Sequence, residues 1–362
     1  MHFLERLERK PVHCIWEITN ACNLHCIHCN NHSVKPLHGE LSFEKIIDVA
    51  QELSSLGCEV VNVSGGEPFL RPEWDRICLF LSNLGIAVAI TTNGTLLTRE
   101  NVDKAFSSGV KIIAVSIDGL KEFHDKNRTG KFSEFSGLSP FERAIEGIRY
   151  SIEKIETMVI TQVNCTNLNQ LSEIRALLRE LGIRRWQLQL CVPTINILEM
   201  DEPYVISPED LEFLTDFIVQ ANSDGEIPFI ETSDTIGYYT EKEPFLRKRE
   251  KTRGLWLGCM AGIRLIAIKP DGKVRGCSLM PSEFDAGDLH LETLREIWED
   301  KERFSYSTKF SEDKFAGGCR KCKYHFICRG GCRTMAFWAT GTIYDNPYCL
   351  YRLKQIENQK VK

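Results

Sequence analysis

The stretch CNLHCIHCN, residues 22 to 30, places three cysteines and two histidines within nine positions. Its cysteine spacing is C-x3-C-x2-C, and it follows a run of β-forming residues, HCIWEIT (13–19). A structural zinc site has four protein ligands, so the three thiolates would need His25, His28 or His32 to complete it. A [4Fe-4S] cluster takes one thiolate per iron, and three cysteines would leave one iron open to a ligand. The stretch alone does not decide between these two kinds of metal site.

The 362-residue chain has an ordinary globular composition, and its formal net charge of -5 argues against a general nucleic-acid-binding protein. No apolar run has the length of a membrane span, and the N-terminus lacks the apolar core of a secretory signal, so we expect a cytoplasmic protein. Fifteen cysteines in a reducing compartment indicate metal binding rather than disulfides. Five of them lie singly in apolar contexts, where we expect small hydrophobic side chains. They are Cys14, Cys58, Cys78, Cys165 and Cys191.

Residues 13 to 222 alternate short β-rich runs with helical patterns, which predicts repeated βα units. Ser42 is predicted to cap the first helix, which Gly57 ends. Because crossovers between parallel strands are right-handed, such units curl into a barrel or a doubly wound sheet, and six units favour an incomplete barrel. The six predicted strands span residues 13–19, 59–64, 87–92, 111–117, 157–164 and 184–191.

A β-hairpin is predicted beyond the βα units. The run GIRLIAIKPDGKVRGC (262–277) alternates apolar residues around a Pro-Asp-Gly turn and lies between Cys259 and Cys277. We therefore expect an α/β protein with a partial TIM barrel of six βα units over residues 1–222, a bridging region over 223–254, and a small cysteine-rich domain with this hairpin over 255–362.

Polar and glycine-rich motifs follow successive predicted strands, at the end of a βα barrel where active sites are built. SGGEP (64–68) follows the second strand, TTNGT (91–95) the third and SIDG (116–119) the fourth, with HDKNRTG (124–130) just beyond. Together with the cysteine trio, this order resembles the radical S-adenosylmethionine (radical SAM) superfamily over roughly residues 12–220.

The resemblance implies that Cys22, Cys26 and Cys29 hold a [4Fe-4S] cluster whose open iron binds the amine and carboxylate of S-adenosylmethionine. One electron from a flavodoxin or ferredoxin would then cleave the sulfonium, and a 5'-deoxyadenosyl radical would remove a hydrogen atom from the substrate. Neither the residues nor the resemblance identifies a general base.

The resemblance also implies direct contacts to S-adenosylmethionine. We expect the two glycines of SGGEP to allow close approach of the ligand, since a Cβ there would collide with it. The following glutamate would meet the amino group, Arg128 the carboxylate, and His28 the adenine. The expected contact residues are His28, Gly65, Gly66, Glu67, Pro68, Asn93, Ser116, Asp118 and Arg128.

The second group of cysteines lies near the C-terminus, and its order resembles the seven-cysteine SPASM extension of radical SAM enzymes over about residues 255–355. That extension holds two auxiliary [4Fe-4S] clusters, so the resemblance implies three clusters in all. The alternative is a pair of zinc ribbons, because C-x2-C is a common zinc spacing. The resemblance assigns Cys319, Cys322, Cys328 and Cys349 to one cluster and Cys259, Cys277 and Cys332 to the other.

Seven thiolates for eight irons leave one iron without a cysteine. We predict that this iron is open or takes a ligand such as Cys191 or a substrate thiolate.

SPASM enzymes in general modify peptides or proteins, so the first hypothesis is maturation of a ribosomally made peptide by a carbon-carbon or thioether cross-link. Because the first strand begins near residue 13, we expect a precursor's leader to be bound by a separate protein or by the barrel itself. Sulfatase-maturing relatives carry an aspartate directly after the cysteine at the end of the hairpin. Here Ser278 follows Cys277, which argues against sulfatase maturation.

Two other functions stay open. One is oxidation of a tetrapyrrole or another small metabolite, as in heme-related enzymes with similar C-terminal cysteines. The other is a non-catalytic zinc-binding scaffold. We expect neither a nucleic-acid nor a membrane partner.

Overall fold

The structure is a computed structural model, and it describes residues 8–130, 137–247, 254–309 and 311–360. These residues form two compact units. The first unit comprises Glu8–Met158 and Met260–Lys309, and the second comprises Val159–Cys259 together with residues 311–360. The predicted division at residues 222 and 254 stays a prediction.

The strands, in chain order, are β1 His13–Glu17, β2 His25–Cys26, β3 Val60–Ser64, β4 Ala87–Thr92, β5 Val110–Ser116, β6 Arg128–Thr129, β7 Glu156–Val163, β8 Arg185–Leu190, β9 Phe229–Thr232, β10 Leu265–Ile268, β11 Lys273–Arg275 and β12 Gly287–Asp288. The α-helices are α1 Phe43–Ser55, α2 Trp74–Asn83, α3 Arg99–Ser107, α4 Lys121–Asn127, α5 Pro140–Ser151, α6 Leu171–Glu180, α7 Ile195–Leu198, α8 Asp210–Ser223, α9 Glu243–Leu246, α10 Leu294–Glu299, α11 Ser305–Thr308, α12 His325–Cys328, α13 Arg333–Thr340 and α14 Leu350–Lys360.

The main sheet of the first unit has the strand order β12-β11-β10-β1-β3-β4-β5. Strands β10, β1, β3, β4 and β5 pair in parallel, whereas β11 pairs antiparallel with β10 and β12. The predicted hairpin is therefore confirmed as β10 and β11. Its position against β1 was not predicted, and it brings the chain after residue 260 to the edge of the N-terminal strands.

The first helix illustrates how the βα units are built. Ser42 caps α1, because its side chain accepts a hydrogen bond from the Lys45 backbone N–H, as predicted. One face of α1 is buried, with Leu53 fully enclosed. Gly57, which ends this segment, has φ of +81°, a left-handed conformation that glycine adopts without a Cβ penalty.

In the second unit, three parallel strands pair in the order β7-β8-β9, and β7 begins just ahead of the unit at Glu156. Strand β9 lies beyond the six predicted strands. It was missed because Phe229–Thr232 is only four residues long and has little periodicity to detect. The α/β fold with an open, mainly parallel sheet and a cysteine-rich C-terminal part is confirmed. In the described part of the chain, no helix is both long and apolar enough for a membrane span.

Candidate cofactor site

The first cysteine group lies in the loop after β1. Cys22, Cys26 and Cys29 are half-buried. Burial raises the pKa of Cys22 to about 12, and the nearby charges of Glu67, Cys26 and Cys29 contribute to this increase. Three thiols that interact electrostatically form a soft donor set, which suits iron-sulfur binding. Among the described residues, no three His, Cys, Asp or Glu side chains are arranged to hold a single metal ion.

Arg128 faces this loop from a short ladder. Cys26 in β2 pairs antiparallel with Arg128 in β6, and the Arg128 Nη1 lies 3.9 Å from the Cys26 Sγ. Burial raises the pKa of Cys26 to about 11, although the guanidinium acts in the opposite direction. The positive charge of Arg128 therefore stabilises a thiolate at Cys26, the form in which cysteine binds metal.

Asp118 holds Arg128 in place. Its carboxylate is completely buried, accepts a hydrogen bond from the Arg128 Nε at 2.6 Å, and lies 3.5 Å from the His28 Nε2. Burial opposes ionisation of Asp118, but the Arg128 guanidinium keeps the pKa of this carboxyl below its usual range. Burial also lowers the pKa of His28 to about 4, so His28 is neutral near pH 7.

The structure thus brings together three of the expected contact residues: His28, Asp118 and Arg128. The Asp118 carboxylate contacts both of the other side chains. In addition, the backbone N–H of Asp118 donates to the His124 Nδ1 at 3.3 Å. Ser116 is buried at the end of β5, two residues before Asp118. Direct contacts from these residues to a cofactor stay a prediction.

Gly65 and Gly66 follow β3, and the chain itself explains why both are glycine. A Cβ on Gly65 would lie 2.3 Å from the Thr19 carbonyl oxygen, and one on Gly66 would lie 2.2 Å from the Ala21 carbonyl oxygen. The backbone N–H groups of Gly66 and Glu67 donate to these same two oxygens at 2.8 and 2.7 Å. A Cβ at either glycine would therefore collide with the loop that leads into the cysteines, and the predicted collision of a Cβ with a ligand stays a prediction.

The Glu67 carboxylate also accepts hydrogen bonds from within the chain. Its completely buried carboxylate accepts hydrogen bonds from the Thr92 Oγ1 and the Asn93 N–H, both at 2.8 Å, and from the Phe69 N–H at 3.4 Å. Burial raises its pKa to about 7 in spite of these donors. Glu67 thereby links the loop after β3 to the loop after β4. Pro68 begins the short 3-10 turn Pro68–Leu70 and is buried.

Asn93 fastens the cysteine loop to the end of β4. Its Nδ2 donates to the Asn23 Oδ1 at 2.9 Å, and its Oδ1 accepts from the Thr95 hydroxyl at 2.6 Å. The Thr95 hydroxyl in turn accepts from the Asn23 Nδ2 at 2.9 Å. Asn23 and Thr95 were not singled out from the sequence, although both lie inside the quoted motifs.

A second set of polar contacts was missed entirely. The Lys269 Nζ, one residue after β10, lies 2.5 Å from the Glu17 Oε2 and 2.7 Å from the Asn31 Oδ1. The Asn31 Nδ2 donates to the same Glu17 oxygen at 2.9 Å. These three residues join the cysteine loop to the ends of β1 and β10. No sequence signal links them, because Lys269 is remote in the chain.

In the second unit, one cavity is lined by Cys319, Cys322, Cys328 and Cys349. Tyr238, Tyr239, His325 and Tyr351 are among the other lining residues. Burial raises the pKa of Cys319 to about 11 and that of Cys349 to about 12. Four thiols around one space are the donor set that a [4Fe-4S] cluster requires.

Tyr238 lies beside this cavity and contacts Cys332. Its hydroxyl donates to the Asp234 carbonyl oxygen at 2.5 Å and accepts from the Cys332 N–H at 3.0 Å. Cys259 packs against the apolar cluster that contains Tyr238 and Trp256. Cys332 and Cys259 thus lie in the second unit, and Cys277 lies in the first unit just after β11. Cys191 is almost completely buried in the second unit, and its predicted role as a ligand stays a prediction.

Comparison with known proteins agrees with this geometry. Sequence profiles of the Radical SAM superfamily and of SPASM, an iron-sulfur cluster-binding domain, match residues 16–181 and 259–323. The AdoMet-dependent heme synthase of Methanosarcina barkeri is 33% identical, over 93% of this chain and 95% of that protein. The mycofactocin maturase MftC of Mycolicibacterium smegmatis is 29% identical, over 95% of this chain and 84% of that protein.

Solved structures agree in fold. Streptococcus suis SuiB bound to S-adenosylmethionine has a TM-score of 0.71 at 17% identity, over 93% of this chain and 76% of that chain. The enzyme anSMEcpe with bound AdoMet and the Cp18Cys peptide has a TM-score of 0.71 at 20% identity, over 95% and 94%. S-adenosylmethionine and iron-sulfur clusters are the cofactors that the two matched domains indicate. The chain therefore belongs to the radical SAM superfamily, as an enzyme with a C-terminal SPASM domain.

Proposed function

We propose that the protein is a radical SAM enzyme that oxidises a tetrapyrrole in the synthesis of heme. The observation that carries this proposal is the 33% identity to an AdoMet-dependent heme synthase along nearly the whole of both chains. Two further AdoMet-dependent heme synthases are 28% and 26% identical over 93% and 94% of this chain. The similarity spans the barrel and the C-terminal cysteines together, so it concerns both matched domains.

Three clusters belong to this proposal. The first, at Cys22, Cys26 and Cys29, binds S-adenosylmethionine, and when bound these two cofactors supply the means to remove a hydrogen atom from an unactivated C–H bond. The four cysteines around the cavity in the second unit hold one auxiliary cluster. Cys259, Cys277 and Cys332 hold the other, with its remaining ligand unassigned.

Residues of the chain position the loops that bind the first cluster and balance the charge of its thiolates. Arg128 compensates the thiolate of Cys26, and Asp118 fixes the orientation of the guanidinium. Glu67 and Asn93 hold the neighbouring loops by hydrogen bonds, so the cysteine loop is preorganised before the cofactor binds.

We propose that all the contact residues expected from the sequence, from His28 to Arg128, contact S-adenosylmethionine. The polar groups at the ends of β4 and β5 lie beside the cysteine loop, which supports their inclusion. Within that set, Glu67 and Gly65 also shape the loops through their contacts with the chain, and Arg128 and His28 also contact Asp118.

An anaerobic assay tests the proposed reaction. The reconstituted enzyme would be given S-adenosylmethionine, dithionite and Fe-coproporphyrin III, the product for which another relative, at 25% identity, is named. We expect the tetrapyrrole to lose mass and 5'-deoxyadenosine to accumulate with it. The variant Cys26→Ser is the control and should form neither product. If 5'-deoxyadenosine forms while Fe-coproporphyrin III and other tetrapyrroles stay unchanged, the proposed substrate is wrong although the radical chemistry stands.

Peptide maturation is the second candidate, supported by the 29% identity to mycofactocin maturase MftC. Its partners would be a precursor peptide and a separate leader-binding protein. Co-expression with a short peptide encoded beside this gene, followed by mass spectrometry, tests it. A loss of two hydrogens or another mass change in the peptide would favour this candidate over the tetrapyrrole.

A zinc-binding scaffold is separated from both candidates by metal analysis of anaerobically purified protein. Zinc without iron would support the scaffold.

A further inference from the structure

Asn346 lines the four-cysteine cavity of the second unit and lies three residues before Cys349. It is almost completely buried, with 1% of its surface exposed. An Asn-Pro pair such as Asn346-Pro347 ordinarily indicates a turn, so the sequence alone gives this residue no other role. A buried polar side chain is costly, however, unless its donors and acceptors have hydrogen-bond partners. The partners of Asn346 therefore bear on what the cavity holds.

Three of the four polar atoms of Asn346 are hydrogen-bonded within the chain. The backbone N–H donates to the Cys319 Sγ at 3.5 Å, and the backbone carbonyl oxygen accepts from the Arg352 Nη1 at 3.4 Å. The side-chain Oδ1 accepts from the Tyr348 N–H at 2.9 Å, a contact typical of an Asn that closes a turn on its own backbone. These three bonds fix the position and the orientation of the side-chain amide.

The fourth polar atom, the Asn346 Nδ2, is buried and has no hydrogen-bond partner in the part of the chain that the structure describes. It lies among residues that line the cavity. A Cβ on Gly331 would be 2.7 Å from this nitrogen and 3.1 Å from the Tyr238 ring, and both residues line the cavity. Because a buried amide donor without an acceptor is rare in folded proteins, its partner is expected to be a group bound in the cavity.

Sulfur is the acceptor that this cavity offers to N–H groups. Besides the bond from the Asn346 backbone, the Tyr324 N–H donates to the Cys322 Sγ at 3.4 Å. The hydroxyls of Tyr238 and Tyr239, which also line the cavity, donate to backbone carbonyl oxygens instead. The Asn346 amide is thus a further N–H donor beside a set of thiols that already accepts hydrogen bonds.

We propose that the Asn346 Nδ2 donates a hydrogen bond to a sulfur of the [4Fe-4S] cluster at the four cysteines, and that this bond raises the reduction potential of the cluster. Reduction adds one electron and therefore one negative charge, and an N–H donor directed at a sulfur stabilises the more negative form. The amide is neutral, so it acts without changing the net charge beside the thiols. The inference rests on the proposed function, which assigns a cluster to these cysteines.

The reduction potential is the first test of this bond. Anaerobically reconstituted holoenzyme is titrated between dithionite and ferricyanide, and reduction of each cluster is followed by electron paramagnetic resonance. The variant Cys319→Ser identifies the signal of the four-cysteine cluster. In Asn346→Ser a hydroxyl can still accept from the Tyr348 N–H, but the amide is removed. Asn346→Asp keeps the shape and this acceptor, and replaces the amide nitrogen by a carboxylate oxygen.

The matched control is Asn164→Ser. Asn164 follows β7 directly, is completely buried, and accepts through its Oδ1 from the Thr166 N–H two residues later, at 2.9 Å, but it is not one of the residues that line the cavity. We expect the potential of the four-cysteine cluster to fall in Asn346→Ser, to fall further in Asn346→Asp and to stay unchanged in the control. A purely structural role of Asn346 would lower the melting temperature and leave the potential unchanged.

A second measurement keeps Asn346 in place. The protein is produced with asparagine labelled with 15N in the side-chain amide, and couplings of 15N to the reduced clusters are measured by pulsed electron paramagnetic resonance. The variant Cys26→Ser removes the first cluster, which would otherwise report the Asn93 Nδ2, 3.9 Å from the Cys22 Sγ. We expect a 15N coupling in the remaining signal that disappears in Cys26→Ser/Asn346→Ser.

An unchanged potential in Asn346→Ser, or an equal shift in Asn164→Ser, would overturn the proposal. So would the absence of the 15N coupling, because a buried water rather than a cluster sulfur would then be the partner of the amide. Iron and sulfide are measured on every sample, and protein without iron at the four cysteines would remove this bond together with the cluster. Neither readout involves a substrate, so an inactive enzyme in the tetrapyrrole assay would leave the outcome unaffected.

Discussion

Lys269 and Glu17 form a buried ion pair, with 2.5 Å between the Lys269 Nζ and the Glu17 Oε2. The pair connects the parallel strands β10 and β1 and also bonds to Asn31, two residues beyond the last cysteine of the trio. Strand β10, which lies in the SPASM match, thereby helps to hold the cysteine loop, which lies in the radical SAM match. Parts of both sequence matches therefore lie in the same compact unit.

Replacing one partner of this pair should be costly. Lys269→Met leaves the Glu17 carboxylate buried without its counter-ion, and we expect a loss of about 3–5 kcal/mol in the free energy of unfolding. Anaerobic denaturant unfolding measures it. Lys104→Met removes an exposed i,i+4 partner of Glu100 and should cost at most about 1 kcal/mol. Similar losses in the free energy of unfolding would show that the buried pair contributes no more to stability than the exposed one.

Gly65 should tolerate no side chain. In Gly65→Ala the new Cβ would lie 2.3 Å from a backbone oxygen of Thr19, so the loops after β1 and β3 would have to separate. We expect a large fall in melting temperature and reduced iron at the first cluster. The control is Gly85→Ala, where φ is +80° but the Cβ meets no atom within 4 Å, so that only about 1 kcal/mol is expected. A Gly65→Ala protein with normal stability would contradict the packing explanation.

The buried carboxylate of Glu67 should make stability depend on pH. Its folded pKa is raised from 4.5 to about 7, so the folded state binds the proton more tightly than the unfolded state does. The stabilising effect is complete below pH 4.5, and stability should fall by up to about 3 kcal/mol as the pH rises to 7. Unfolding across this range, compared with Glu67→Gln, measures the contribution. A Glu67→Gln protein with the same slope would assign the pH dependence to other groups.

The Thr95 hydroxyl should matter for loading of the first cluster. Thr95→Val keeps the volume but leaves Asn93 and Asn23 without a shared partner, at an expected cost of about 1–3 kcal/mol. Because Asn23 lies next to Cys22, we expect weaker retention of the first cluster and an unchanged auxiliary signal in electron paramagnetic resonance spectra. Thr98→Val, which removes the cap of α3, is a control that should lower stability without selective cluster loss.

The regular elements were predictable from the sequence because their signals are local. The predicted strands at 59–64, 87–92 and 184–191 agree within one residue with β3, β4 and β8. Ser42 and Gly57 mark the ends of the first helix through hydrogen bonding and backbone freedom that need no partner from elsewhere in the chain. The Pro-Asp-Gly turn likewise specified the hairpin of β10 and β11.

From the amino-acid sequence alone we could predict the order of βα units, the position of the cysteine trio after β1 and the placing of polar motifs at strand ends, since each depends on periodicity or on neighbours in the chain. The folded protein was needed to show that β10 pairs with β1, that Lys269 contacts Glu17, and that Gly65 and Glu67 take part in contacts between loops. These features join residues that are distant in sequence, and burial together with close approach of backbones, rather than any local pattern, selects their partners.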